Sequence, residues 1–216
     1  MPFRKILQLA AAAWLFAAGI ASAQAPWTML NPPQSTEPGK IEVIEFFWYA
    51  CPHCYHLEPA VATWTRNAPK DVVFKRIPAA SGGWANLASL FLTLEAMGIL
   101  DQYHLKVFEA IHKQNINLGQ ADLREKWLAS QGIDVAKYKD VEKSFSVSTK
   151  LQRVKQMTGS YKVDAVPMLV VDGKYVVTAQ SAGGQERMFQ AVDVAIAAAR
   201  REKGMAAAPA PEVAKR

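Results

Sequence analysis

The sequence predicts an α/β fold in which a central mixed β-sheet is flanked by helices and interrupted by an inserted all-helical subdomain. Three observations support this prediction. A strand, a helix and a second strand occupy residues 41–79, helices alone occupy residues 80–162, and a β-hairpin followed by a helix occupies residues 163–203. A strand–helix–strand unit pairs its strands in parallel, whereas a hairpin pairs them antiparallel. The sheet is therefore expected to be mixed.

The two ends of the chain are predicted to lie outside this fold. Residues 1–23 have the pattern of a cleaved export signal, because the basic residues Arg4 and Lys5 precede an apolar stretch and an A-x-A cleavage motif. The alternative, an uncleaved membrane anchor, is disfavoured because the apolar stretch is short for a span. Residues 24–40 are predicted to be a lead-in, and residues 204–216, rich in alanine and proline, a disordered tail.

Charge and export restrict the function classes. Removal of the signal would lower the formal charge from +6 to +4, since two basic residues and no acids are lost. The remaining basic residues lie on predicted helices without interleaved aromatic side chains, which favours a solvated face over a nucleic-acid site. Export places a soluble protein where disulfides persist.

The strand–helix–strand unit begins with a strongly apolar run. Ile41–Phe47 is typical of a strand buried on both faces, which makes Glu45 unexpected there. Residues 52–65 are predicted to form a helix, kinked at Pro59, and residues 71–77 a second strand. The unit contains both cysteines of the chain.

Apolar residues recur at helical spacing in five segments of the insertion, and Asp134 is a candidate N-cap for the fourth. The β pattern then returns around Asp172-Gly173, a strong hairpin signal. A short edge strand is expected near residues 27–30. The remaining elements predicted from this end of the chain are strands 168–171 and 174–177 and a helix over residues 185–201.

The two cysteines, Cys51 and Cys54, form a C-x-x-C motif with Pro52 and His53 between them. The motif lies at a strand-to-helix junction, where helix N–H groups and the positive end of the helix dipole favour a thiolate. A structural disulfide between distant cysteines would constrain the unfolded chain, but a four-residue ring constrains very little. The motif therefore indicates redox chemistry.

Other uses of a C-x-x-C motif fit less well. A zinc site would need four ligands, and His53 and His56 beside the cysteines lack a second ligand pair at the usual spacing. A c-type haem needs histidine directly after the second cysteine, and Tyr55 stands there. We therefore expect no metal and no cofactor other than the redox-active Cys51–Cys54 disulfide.

Three motifs can be compared with a known family: Glu45-Phe46-Phe47, Cys51-Pro52-His53-Cys54 and Val166-Pro167. With them, the chain resembles periplasmic thiol:disulfide interchange proteins of the DsbA type, which have a thioredoxin fold with a helical insertion. The resemblance covers residues 41–203. Pro-His between the cysteines points to the oxidant branch, since thioredoxins usually carry Gly-Pro and the bacterial isomerases Gly-Tyr. The exported isomerases also have an N-terminal dimerisation domain, for which residues 24–40 are too short.

The resemblance implies that the catalytic residues are Cys51, Pro52, His53, Cys54 and Glu45. A client thiolate would attack Cys51, the exposed sulfur, and release Cys54, while His53 would donate a hydrogen bond to the Cys51 thiolate or carry charge beside it. Glu45 would be a buried carboxylate that moves protons near Cys54, and the alternative is that it faces solvent at the end of its strand. Whether Lys75 pairs with Glu45 stays open.

The resemblance also implies a substrate-binding segment. The Val166–Pro167 bond would be cis and abut the disulfide, whereas the base rate for X–Pro bonds favours an ordinary trans strand start. Val166 would offer its backbone to an extended client segment, and Pro52 would contribute to an apolar groove. The remaining histidines are expected to lie on the surface or to pack in the core, and no functional role is assigned to them: His56, His104 and His112.

The predicted function is a protein disulfide oxidoreductase that introduces disulfide bonds into newly exported proteins. Reduced, unfolded exported proteins would be its clients, and the resemblance implies reoxidation by an inner-membrane, quinone-linked partner of the DsbB type. It also implies a periplasmic monomer. The alternatives are an isomerase or reductase of the same fold, or a non-catalytic peptide- or metal-binding module.

Overall fold

A computed structural model describes residues 25–206 of the chain. The predicted export signal lies outside the described residues. The strands are β1 Thr28–Met29, β2 Ile41–Phe47, β3 Val72–Pro78, β4 Met168–Val171 and β5 Tyr175–Val177. The helices are α1 Pro52–Asn67, α2 Ala85–Ala96, α3 Leu100–His112, α4 Ala121–Ser130, α5 Val135–Glu142, α6 Phe145–Ser160, α7 Ala179–Ala182 and α8 Met188–Glu202. Short 3₁₀ turns precede α2 and α8, at Gly82–Trp84 and Gln185–Arg187.

The five strands form one mixed sheet in the order β1-β5-β4-β2-β3. β2 is an interior strand, paired in parallel with the edge strand β3 and antiparallel with the central strand β4. The β2–β3 register places Glu45 opposite Arg76. This register decides which basic side chain can reach the carboxylate.

Most element boundaries lie within a few residues of the predicted ones. The edge strand is shorter than residues 27–30, and α1 extends two residues beyond the predicted end at Thr65. The last helix begins at Met188 rather than residue 185, because the 3₁₀ turn precedes it. Asp134 caps α5 as expected, with its carboxylate accepting the Lys137 N–H at 3.0 Å.

The predicted hairpin is present, and its turn explains the residues used. Asp172 and Gly173 have φ of +51° and +69°, the conformation that a two-residue hairpin turn requires. A side chain at Gly173 would also meet the backbone oxygen of Gln34 at 2.0 Å. Beyond α8, residues 204–206 of the predicted tail are described, and the Met205 N–H donates to Arg200 O at 2.9 Å, closing the helix end. The rest of that tail lies outside the described residues.

Side chains alternate across β2 and so meet different cores on its two faces. Ile41 and Val43 pack with α1 and α8, while Ile44 and Phe46 pack with residues at the end of α6 and in β4. Phe47, at the end of the strand, joins the core of the helical insertion. Glu45 shares a face with Ile41, Val43 and Phe47. It therefore lies between the core that contains α1 and α8 and the core of the helical insertion.

The core of the insertion includes both cysteines together with buried aromatic and aliphatic side chains of α2, α3 and α4. The insertion therefore forms one wall of the region around the C-x-x-C motif. Within residues 25–206, none of the helices combines the length and apolar character needed to span a bilayer.

Candidate active site

The two thiols occupy unequal positions at the start of α1. Cys51 is the N-cap residue, with extended backbone, and its Sγ accepts the Cys54 N–H at 3.4 Å. Both cysteines carry free thiols. Cys51 keeps 8% of its surface exposed and Cys54 none. Cys51 is thus less exposed than expected, because the core of the insertion packs against it, but it remains the only accessible one of the pair.

The pKa of Cys51 is lowered to about 6. The largest cause is the hydrogen bond from the Cys54 thiol, which outweighs burial, and the backbone N–H groups of Cys54 and His53 add to it. Burial and the Cys51 thiolate raise the pKa of Cys54 far above its ordinary value. At neutral pH the dithiol form therefore carries its negative charge on Cys51.

His53 assists the Cys51 thiolate less directly than expected. Its imidazole is exposed and contributes through charge, the smallest of the causes that lower the Cys51 pKa. Within residues 25–206, no hydrogen bond joins the imidazole to the Cys51 sulfur. The backbone carbonyl of His53 accepts from the Gln185 side chain at 2.9 Å, which ties the motif to the 3₁₀ turn before α8.

The segment before β4 lies against the reactive sulfur. The Val166–Pro167 peptide bond is cis, as the resemblance implies, and Cys51 Sγ lies 3.3 Å from Val166 O. Pro167 is buried and Val166 half-buried. The carbonyl group of Val166 is therefore within reach of anything that approaches Cys51.

Glu45 is completely buried, so the alternative that it faces solvent is wrong. Its Oε2 accepts from Arg76 Nε at 3.0 Å. Burial is the largest influence on its pKa and, against the attraction of Arg76, raises it to about 7. Lys75 does not pair with Glu45: it points to the other face of β3 and bonds Glu42. The Glu45 charge in turn raises the pKa of Cys54.

Arg76 also joins Glu45 to residues that the sequence analysis missed. Arg76 Nη2 donates to Glu58 Oε2 at 2.9 Å, and Glu58 Oε1 lies 3.2 Å from His104 Nε2. The Tyr49 hydroxyl is 2.8 Å from His104 Nδ1. Aligning β2 with β3 in the parallel register would have identified Arg76 as the residue opposite Glu45. Glu58 could have been identified because it follows Cys54 by one helical turn. His104 carries no such signal, because only the packing of the insertion brings it here.

A cleft of about 490 Å³ with a mixed polar and apolar lining lies beside Trp48 and Ala50, on the insertion side of the motif. It is lined by Trp48, Ala50, Gly83, Leu87, Ile111 and Ile116, together with asparagine and glycine residues that follow α3. Trp48 stacks on Trp84 with ring centroids 5.3 Å apart. Leu87, Ile111 and Ile116 of the insertion therefore line a cleft together with Trp48 and Ala50, which precede the motif.

A family model described as the DSBA-like thioredoxin domain matches residues 42–194. The chain belongs to the DsbA family. It is 43% identical over 161 residues to the thiol:disulfide interchange protein DsbA of Azotobacter vinelandii, covering 74% of this chain and 75% of the relative. The DsbA of Pseudomonas aeruginosa is 41% identical over 167 residues, covering 77% and 79%.

Solved structures agree with this assignment. A crystal structure of Pseudomonas aeruginosa DsbA matches with a TM-score of 0.78 at 38% identity, covering 87% of this chain and 98% of that one. The oxidoreductase DsbA from Xylella fastidiosa matches with a TM-score of 0.73 at 26% identity, covering 81% and 95%. The predicted thioredoxin fold with a helical insertion is confirmed. As a DsbA family member, the chain is a thiol:disulfide oxidoreductase that introduces disulfide bonds.

Proposed function

We propose that the Cys51–Cys54 disulfide is donated to reduced, unfolded proteins newly exported to the periplasm, with Cys51 as the attacked sulfur. The observation that carries this proposal is the asymmetry of the two thiols. Cys51 is accessible and its pKa is lowered to about 6, whereas Cys54 is buried and its pKa is raised. A client can therefore reach only Cys51, and the reduced protein is stabilised as the Cys51 thiolate.

The first step forms a mixed disulfide. A client thiolate attacks Cys51 Sγ, the Cys51–Cys54 bond breaks, and Cys54 leaves with the electron pair. Its raised pKa means that it takes up a proton, and we assign Glu45 as the group that supplies it. A carboxyl with a pKa near 7 is half protonated at neutral pH and can both give and regain that proton.

The second step releases the client. A second client thiol loses its proton and attacks the client sulfur of the mixed disulfide, so that Cys51 leaves as a thiolate. Two electrons have then passed from the client dithiol to the protein, and the client holds a new disulfide. Because the Cys51 thiolate is stabilised, this departure is favoured, and the equilibrium lies toward client oxidation.

The client-binding surface is assigned to the residues around Cys51. Val166 would pair its backbone with an extended client segment, beside Pro52 and Pro167, in a mode that reads no particular sequence. The cleft lined by Trp48 would receive client side chains. We further propose that the chain acts as a monomer and is reoxidised by an inner-membrane, quinone-linked partner of the DsbB type.

The test is the redox equilibrium of the mature protein against glutathione. We expect a potential clearly less reducing than that of thioredoxin, about −270 mV. Cys51→Ser should abolish oxidation of a reduced, unfolded client. A thioredoxin-like potential would instead support a reductase. If the client is oxidised to the same extent with Cys51→Ser, the oxidation does not pass through this thiol, which would support a non-catalytic binding module.

A further inference from the structure

His104 is a buried imidazole that the exchange steps do not use. It lies on α3 of the insertion with 6% of its surface exposed, inside a box of aromatic rings. The ring centroids of Phe47, Tyr49, Phe91 and Phe108 lie 5.3–6.0 Å from its own. Both of its nitrogens nevertheless have polar partners, so the ring is held in one orientation.

The partners determine where the imidazole proton lies. Glu58 is paired with Arg76 and accepts only, so His104 Nε2 carries the proton and donates to Glu58 Oε1. Nδ1 is then an acceptor for the Tyr49 hydroxyl, whose pKa is raised by burial so that it keeps its proton. Burial also lowers the pKa of His104, which keeps the ring neutral despite Glu58 and despite Asp101 on its own helix.

We propose that His104 is a positioning residue that holds the Glu58 carboxylate against Arg76 and thereby limits how much of the Arg76 charge acts on Glu45. The inference rests on the proton-donor role proposed for Glu45. It gives the helical insertion a direct part in the chemistry of a carboxylate that belongs to the interior strand β2 of the sheet.

The hydrogen bonds form one chain from the insertion to Glu45. Tyr49 donates to His104, His104 to Glu58, and the Arg76 guanidinium bridges Glu58 and Glu45 through separate nitrogens. Arg76 lowers the pKa of Glu45 and Glu58 raises it. The position of Glu58 relative to Arg76 therefore sets the balance between these two influences.

The Glu58 side chain can adopt a different position if the His104 imidazole is removed. Glu58, Arg76 and His104 line a cleft of about 1220 Å³ between α1, β3, α2 and α3. Without the Nε2–H donor, the Glu58 carboxylate can turn into this cleft, and Arg76 is left to act on Glu45 alone. The pKa of Glu45 should then fall, and less of the carboxyl would hold a proton at neutral pH.

The experiment is a ¹³C NMR titration of the Glu45 carboxyl in the reduced full-length mature protein, with Glu45→Gln used to assign the signal. We expect His104→Leu to lower the Glu45 pKa by about one unit. The protonated fraction at pH 7 would then fall from about one half to about one tenth, and client oxidation would show the same shift in its pH profile.

Two variants separate positioning from simple packing. His104→Gln retains an N–H donor for Glu58 and should keep the Glu45 pKa within a few tenths of a unit of the parent protein. His112→Leu removes the other imidazole of α3, which bonds the Tyr49 carbonyl but not Glu58, and should leave the Glu45 pKa unchanged. If His104→Leu does not fold by circular dichroism, Tyr49→Phe replaces it, with a smaller shift expected in the same direction.

An unchanged or raised Glu45 pKa in His104→Leu, or in Tyr49→Phe where that variant replaces it, overturns the inference. So does an equal shift in His104→Leu and His104→Gln. These outcomes differ from failure of the proposed Glu45 role, which would appear as a client-oxidation pH profile that Glu45→Gln leaves unaltered.

Discussion

Replacing Glu45 with glutamine should stabilise the reduced protein, and the gain should grow with pH. Glu45 is completely buried, and its pKa rises from an ordinary 4.5 to about 7 in the folded protein. The folded state therefore binds this proton more tightly than the unfolded chain does. The corresponding stability is present below pH 4.5 and is lost as the pH rises through 7.

The size of the effect follows from the pKa difference. Each unit corresponds to about 1.4 kcal/mol, so ionising Glu45 in the folded state costs about 3 kcal/mol once the pH exceeds 7. Glutamine has a similar shape, cannot ionise, and can still accept a hydrogen bond from Arg76 through its amide oxygen. The advantage of Glu45→Gln should thus be near zero at pH 4.5 and level off above pH 7.

Urea unfolding of the dithiol form at half-unit steps from pH 4.5 to 8 measures this difference. The Cys51 contribution is common to both proteins and cancels. Glu42→Gln on the same strand is the matched control, since Glu42 keeps part of its side chain exposed and pairs with the half-exposed Lys75, so that no comparable trend is expected. A Glu45→Gln difference that stays flat with pH, or that favours the parent protein at pH 8, would refute the reasoning.

Three further results are expected. The alkylation rate of Cys51 in the reduced protein should have its pH midpoint near 6. Cys54→Ala should raise this midpoint, because it removes the hydrogen bond that is the largest cause of the lowered Cys51 pKa. Cys54→Ser keeps a hydrogen-bond donor and should raise the midpoint less. His53→Ala should raise the same midpoint only slightly; a shift as large as that of Cys54→Ala would mean that the imidazole dominates. Phe108→Ala should lower the free energy of unfolding by about 3–5 kcal/mol in urea titrations, since Phe108 is fully buried in the core of the insertion, and a loss below 1 kcal/mol would contradict that packing.

The sequence predicts the cysteine motif and its surroundings well because their physics is local. A strand that ends in a C-x-x-C helix start places Cys51 at the N-cap whatever the rest of the chain does. Glu45 could be singled out because a charged residue in an apolar strand is unusual. The hairpin at Asp172-Gly173 was equally predictable, since only a few dipeptides adopt its turn.

The partner of Glu45 could not be predicted, because it depends on strand register. Lys75 and Arg76 are adjacent in sequence and point to opposite faces of β3, and a shift of one residue would exchange them. The observed register selects Arg76. A guanidinium can bind two carboxylates at once through separate nitrogens, which a single ammonium group does with less directional control. The choice of Arg76 is therefore what brings Glu58 into the site.

The two carboxylate oxygens of Glu45 differ in their hydrogen bonding. Oε2 accepts from Arg76, whereas Oε1 is buried and has no hydrogen-bond partner among residues 25–206. An ionised carboxylate in that state would leave a buried charged acceptor unsatisfied, which is costly, and a proton on Oε1 removes the charge. Arg76 thus fixes the orientation of the carboxyl while Oε1 remains available to carry a proton. In the proposed proton exchange with Cys54, the carboxyl could therefore gain or lose its proton at Oε1 while Oε2 keeps its ion pair with Arg76.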